Sequence, residues 1–157
     1  MQGFAKSILV AILVSVCLLL FTNLIFFFPW YMTLVVETFN LSQIAAGDNY
    51  VKHREYYGTL DNLKDKPIFR QKADRINIDV LNADGLPAIG YDNELDYYDL
   101  LDKPYRQRGK LITVKISAEY PFSITLWGET LERPFPVSFR LKTPGLKHYK
   151  DLDYYTD

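Results

Sequence analysis

The sequence predicts an α+β protein. A long apolar N-terminal helix, kinked or melted near Pro29, continues into an amphipathic helix packed on a small antiparallel sheet of about four strands. Ser7 to Val36 contains no charged residue, the stretch from Glu37 to Tyr57 places apolar residues near helical spacing, and two later stretches alternate apolar with polar residues.

The uncharged run is bracketed by Lys6 and Glu37. A bilayer's hydrocarbon core takes about 20 apolar residues in a helix, so the run exceeds that need by about ten. At about 1.5 Å per residue it reaches roughly 45 Å. It is too long for the apolar stretch of a secretory signal, roughly 7–15 residues, and no small-residue cleavage site follows it. Cys17 follows Val16 rather than a small residue, so it reads as an ordinary side chain in a membrane helix and not as a lipidation site. The segment is therefore expected to be retained. Lys6 before the run and Glu37 after it orient the N-terminus to the cytoplasm and the bulk of the chain outside. Trp30 and Tyr31 lie where an interfacial aromatic belt would be. Pro29 removes one helical hydrogen bond and predicts a bend or a lost turn. Residues 1–36 are thus expected to form a transmembrane or filament-core helix, and residues 37–157 an extracellular α+β domain.

Leu34, Leu41, Ile44 with Ala45, Val51 and Tyr56 carry the helical spacing past the uncharged run, while Glu37, Asn40, Gln43, Asp48, Lys52 and Arg54 take the remaining surface. Gly58 is the expected stop, with Lys52, His53 and Arg54 suited to a helix C-terminus. A helix from Phe4 to Tyr57 would be on the order of 80 Å long. Arg75 to Val80, Lys110 to Glu119, Phe122 to Leu126 and the stretch holding Val137, Phe139 and Leu141 read as strands, with a turn around Gly128. Pro134 and Pro136 suit an edge or a strand start. Each strand has one apolar face, and the amphipathic half-helix is its expected cover.

Chemistry-bearing motifs are nearly lacking. A formal net charge of −1 offers no basic field, which excludes nucleic acid as the main partner. One cysteine excludes an intramolecular disulfide framework. His53 and His148 are far apart in sequence, and neither has a Cys or His at metal spacing. No phosphate-binding loop, G-x-S-x-G or H-E-x-x-H occurs. Glu129 and Glu132 flank a turn and read as a solvated hairpin. Asp79, Asn82, Asp84, Asp92, Asn93, Glu94 and Asp96 invite a calcium reading, but their spacing does not match an EF-hand loop, and Asp and Asn are also turn formers. The long connection 81–108 that holds most of them is expected to be an interaction surface. The pairs Tyr56-Tyr57, Tyr97-Tyr98 and Tyr154-Tyr155 read as core and rim residues rather than a stacking platform. No catalytic, cofactor or metal residue is assigned, and an enzyme is not expected.

An apolar helix interrupted by Pro29, then an amphipathic continuation, then a small antiparallel sheet, resembles a type IV pilin-like subunit. Gly3-Phe4 is similar to a prepilin processing point, although Ile8 stands where that class carries glutamate. The nearer likeness is to TadE-like pseudopilins and pilin-like proteins of Gram-positive bacteria, through Gly109 to Ile116, the aromatic stretch that follows, Pro136-Val137 and the closing strand. The resemblance implies a structural subunit of a helical filament at the cell surface. Membrane-held precursors would pack their helices into a core, with sheets outside, alongside other pilins and assembly machinery. On that reading Leu13, Leu20, Leu24, Phe27, Phe28, Pro29 and Trp30 form the assembly interface, and Lys6 orients the anchor. The rival expectation is a monomeric, signal-anchored surface domain that binds a protein partner.

Overall fold

A computed structural model describes residues 2–97, 99, 102–126 and 128–152. Helix α1 spans Gln2–Asp48, 47 residues, or about 70 Å at the usual rise. It passes through Pro29 with no break in the helix, so no turn is melted there. The proline withholds one N–H from the ladder, while the Thr33 hydroxyl donates to the Pro29 carbonyl at 2.9 Å. Packing of Trp30 and Leu34 against the sheet holds the turns that follow.

The helix does not reach Tyr57. It stops at Asp48 because Asn49 adopts a left-handed conformation, φ 60°, which Asn tolerates better than most residues. Asn49 is buried, and its side chain replaces the missing ladder. Its Nδ2 donates to the Arg106 and Lys147 carbonyls (2.8 and 2.7 Å), and its Oδ1 accepts the Lys147 N–H at 2.9 Å. The Leu146 N–H donates to the Ala46 carbonyl at 2.8 Å. Gly145 lies so close that a Cβ there would stand 2.6 Å from the Asn49 amide. After the short strand β1 (Val51–Lys52), helix α2 runs His53–Asp65, with Gly58 inside it rather than ending it.

Strands β2 (Asn77–Leu81), β4 (Leu111–Leu126) and β5 (Glu129–Pro144) form an antiparallel sheet in the order β2-β4-β5. A separate two-residue strand, β3 (Ile89–Gly90), pairs in parallel with β1. The main sheet has three strands, not four, because the two stretches expected before Gly128 are one strand. Pro121 lies opposite Pro134 in the part of the β4–β5 hairpin that β2 does not reach, since β2 pairs only with Thr113 to Ser117. A missing N–H is tolerated there. β5 is an edge strand, as Pro134 and Pro136 require.

One face of α1 covers the apolar face of the sheet. Trp30, Leu34, Leu41 and Ala45 join Ile78, Val80, Ile112, Val114 and Ile116 in a single core. Thr38 and Ser42 lie buried on the same helix face and return their hydroxyls to the Leu34 and Phe39 carbonyls. A boundary between Val36 and Glu37 therefore does not coincide with packing. The outer core begins near Phe27, ten residues earlier than the first acidic side chain of the run.

Candidate assembly surface

Helix α1 changes character along its length. From Gly3 to Phe26 nearly every side chain is exposed, and this stretch is long and apolar enough to cross a bilayer, as a membrane anchor or signal sequence would be. Past Phe26 one side is spent on the sheet. Trp30 is only 3% exposed and touches Phe69 and Tyr120, with ring centroids 5.2 Å away in each case. Its indole N–H is buried without a hydrogen-bond partner. Phe27 is half-buried, edge-on to Tyr120 at 5.0 Å.

The seven residues expected at an assembly interface thus divide. Leu13, Leu20, Leu24, Phe28 and Pro29 are exposed, and Phe28 remains 65% accessible. Trp30 packs within its own chain and is closed to a neighbour, because Tyr120 and Phe69 already cover it. Phe27 is largely closed for the same reason. Of the two residues expected in an interfacial belt, Trp30 is buried and Tyr31 half-buried. Lys6 is exposed at the start of the helix.

A second feature was not visible residue by residue. Phe21, Ile25, Phe28, Met32, Val36 and Phe39 are all exposed. They are spaced by three or four residues, which keeps them on one side of a helix with 3.6 residues per turn. Phe27, Trp30, Leu34, Thr38, Leu41 and Ala45 follow the same spacing on the opposite side, against the sheet. Hydropathy alone merges the two stripes, since both are apolar. The polar partner that marks an ordinary amphipathic helix begins only at Asn40 and Gln43 on the outward side.

The arm formed by the far end of the β4–β5 hairpin runs back along α1. The Tyr120 hydroxyl donates to the Asn23 carbonyl at 3.0 Å, and the Asn23 amide donates to the Ser123 carbonyl at 3.1 Å and to the Leu19 carbonyl at 3.0 Å. Asn23, the one amide side chain in the apolar run, is therefore the tie between helix and arm. Leu20, Leu24, Phe27, Phe122, Phe135 and Val137, with Asn23 and Tyr120, enclose an apolar groove of about 310 Å³.

The acidic connection 81–108 is tied to the body of the domain. Asn82 Oδ1 accepts the N–H groups of Asp84 and Leu86, Asp84 pairs with Arg106 at 2.5 Å, Asp92 accepts the Arg54 N–H, and Glu94 pairs with Lys147. Among the described residues no three His, Cys, Asp or Glu side chains converge as a metal site would require. The tyrosines act as struts at this end. Tyr105 and Tyr149 stack with centroids 4.0 Å apart, Tyr149 donates to the Asp48 carbonyl at the end of α1, and Tyr50 donates to the Tyr91 carbonyl. Burial above all, and nearby Glu94, raise the pKa of Tyr50 and Tyr149 far above the ordinary phenol value, so both stay neutral donors. Partial burial pushes the Asp151 carboxyl up, but hydrogen bonds from Lys103 and Tyr105 outweigh it and hold the group below its usual range. Tyr56 is half-buried and Tyr57 exposed, while Tyr98, Tyr154 and Tyr155 lie outside the described residues. Glu129 and Glu132 are both exposed on β5.

Comparison with known protein families, characterised proteins and solved structures finds no match to this chain.

Proposed function

We propose that this chain is a structural subunit that self-associates through α1 into a pilus-like filament at the cell surface, from a membrane-held precursor with its N-terminus inside. The observation that carries the proposal is the exposed stripe Phe28, Met32, Val36 and Phe39. A crossing of about 20 residues that starts after Lys6 ends near Phe26. The stripe continues past that level to Phe39, roughly 20 Å farther along the helix. Neither lipid nor the protein's own sheet covers it there, and exposed apolar surface of this kind marks an interaction site. An unbroken helix of this length, apolar on the side away from its sheet, is suited to a bundle in which copies pack side by side.

The burial of Trp30 and Phe27 favours a second reading. It accounts for part of the surplus apolar length within one copy, as a monomeric anchored domain would. The two readings separate at the stripe. Phe28→Asp lies outside the expected crossing, so membrane insertion and the fold of the outer domain should persist. Filaments seen by electron microscopy, and cross-linked ladders in the membrane fraction, should disappear. Unchanged filaments or ladders would exclude α1-mediated packing, and a wild-type chain that is monomeric in the membrane would favour the anchored domain.

A further inference from the structure

We infer that the β4–β5 arm is a strap that closes on α1 only when the helix around Asn23 is outside a bilayer, so that arm docking and membrane burial of that stretch exclude one another. The inference rests on the anchoring part of the proposed function and does not require filament assembly.

The contacts of the arm fix its level on the helix. Tyr120 packs on Phe27 and Trp30, and Ser123, three residues on, bonds to Asn23. The arm therefore runs toward the N-terminal end of α1. In the ladder Arg133 lies opposite Phe122, Glu132 opposite Ser123 and Glu129 opposite Leu126. Glu132 and Arg133 thus flank the helix near Asn23, and Glu129 is carried roughly 10 Å farther along the strand. On the helix, Val16 and Leu19 are half-buried between exposed neighbours, in line with Asn23 and Phe27.

A bilayer cannot hold the helix and leave this arrangement intact. The helix from Ser7 to Thr22 measures about 24 Å, whereas a hydrocarbon core is about 30 Å thick. A crossing that begins after Lys6 must therefore take in Asn23, and with it the docked Glu132 and Arg133. Glu129 would lie deeper still. Ionised side chains are unfavourable at such depth, and among the described residues none of the three has an ion-pair partner. The open backbone edges of a two-stranded ribbon are unfavourable there for the same reason.

The arm is built to come away by itself. β2 pairs with β4 no farther than Ser117, and beyond it Pro121 stands opposite Pro134, neither with an N–H for the ladder. Past that proline pair a single printed hydrogen bond, from Asn23 to the Ser123 carbonyl, and the apolar contact of Phe122 hold the arm to α1. Tyr120, Trp30 and the three-stranded core lie before the pivot and need not move. Closed, the arm covers the Asn23 side of the helix where lipid would otherwise lie, and leaves Phe21, Ile25 and Phe28 bare on the opposite side.

The test uses the full chain with Cys17→Ser and nitroxides at Thr22→Cys and Ser123→Cys, whose dipolar broadening reports a docked arm. A second sample, labelled only at Ile12→Cys, reports insertion through its relative collision with oxygen and a water-soluble nickel chelate. In a mild detergent micelle, which imposes no slab thickness, the pair should be broadened, and dilution with unlabelled chain should not remove the broadening. In dioleoylphosphatidylcholine vesicles position 12 should favour oxygen and the broadening should be lost. In thinner dilauroylphosphatidylcholine vesicles it should return in part. Broadening in dioleoyl vesicles with oxygen favoured at position 12 would overturn the inference and leave the anchor intact. So would equal spectra in the two lipids, a pair that is never broadened, or broadening in detergent that dilution removes. Nickel favoured at position 12 would overturn the anchor, and the inference with it.

Discussion

The inner and outer stretches of α1 are built from nearly the same residue types and do different work. From Gly3 to Phe26 the helix is largely exposed, and the end of the hairpin reaches it at Leu20, Asn23 and Leu24. From Phe27 to Asp48 it is two-faced, with Trp30, Leu34 and Leu41 locked in the core and Phe28, Met32 and Phe39 facing away. The length of an apolar run therefore does not measure how much of it belongs to a membrane. A run about ten residues longer than a bilayer requires is partly accounted for by a sheet that folds back over one side. What the sheet leaves bare is the outward stripe from Phe28 to Phe39.

The division can be tested most severely by truncation. A chain beginning at Leu24 keeps the whole buried stripe and should unfold in one cooperative transition. A chain beginning at Asn49 loses Trp30, Leu34, Leu41 and Ala45 together. Each large apolar residue lost from a core costs about 2–5 kcal/mol, against a typical total stability of 5–15 kcal/mol. It should show no sigmoidal denaturant transition and should expose the face carrying Ile78, Ile116 and Val114. A cooperative transition in the shorter chain would mean that the sheet does not depend on the helix.

Single substitutions on the two sides of the outer stretch should differ next most. Trp30→Ala should cost about 3–5 kcal/mol, read as a fall in the unfolding midpoint in detergent, even though it also removes an unpaired indole N–H. Phe28→Ala, two residues away on the bare side, should change the same midpoint by no more than about 0.5 kcal/mol. Equal effects would erase the distinction between the stripes.

The smallest expected contrast, about 1–2 kcal/mol between two variants at one position, concerns where the outer stretch ends. Asn49→Gly keeps the left-handed backbone but leaves the part-buried Arg106 and Lys147 carbonyls without the Asn49 amide, at a cost of about 1–3 kcal/mol. Asn49→Ala should cost about 1–2 kcal/mol more, because alanine resists that conformation. Circular dichroism should show the same helix content in both variants. If Asn49→Ala is instead the more stable of the two, the left-handed stop does not terminate α1.

Much of this architecture was legible in advance. The uncharged run from Ser7, the period-two alternation at Ile112, Val114 and Ile116, and the prolines on β5 each identify an element by local chemistry alone. The stop at Asn49 had a local signal in Gly47-Asp48-Asn49, a weak helix former followed by two turn formers, but the helical spacing of Val51 and Tyr56 masked it. Val51 lies instead in strand β1, and Tyr56 in the separate helix α2. The fusion of two expected strands across Pro121 had no local signal. A proline interrupts a strand unless the neighbouring strand is too short to need its N–H, and strand neighbours are set by the fold. Hydropathy points to Leu20, Leu24, Phe28 and Trp30 alike, yet the first three are exposed and Trp30 is covered.

The sequence by itself determined that there is an apolar helix, an antiparallel sheet and an acidic, tyrosine-rich connection, because charge, periodicity and turn chemistry act over a few residues. Only the tertiary structure decided which side of α1 the sheet occupies, how far the hairpin reaches back along it, and that Asn23 ties the two together. Those outcomes depend on contacts between residues roughly a hundred positions apart. An apolar side chain in an apolar run looks the same whether lipid, a sheet or another copy will cover it. The hydrophobic effect is non-directional, so its partner is chosen by geometry rather than by the side chain's own chemistry.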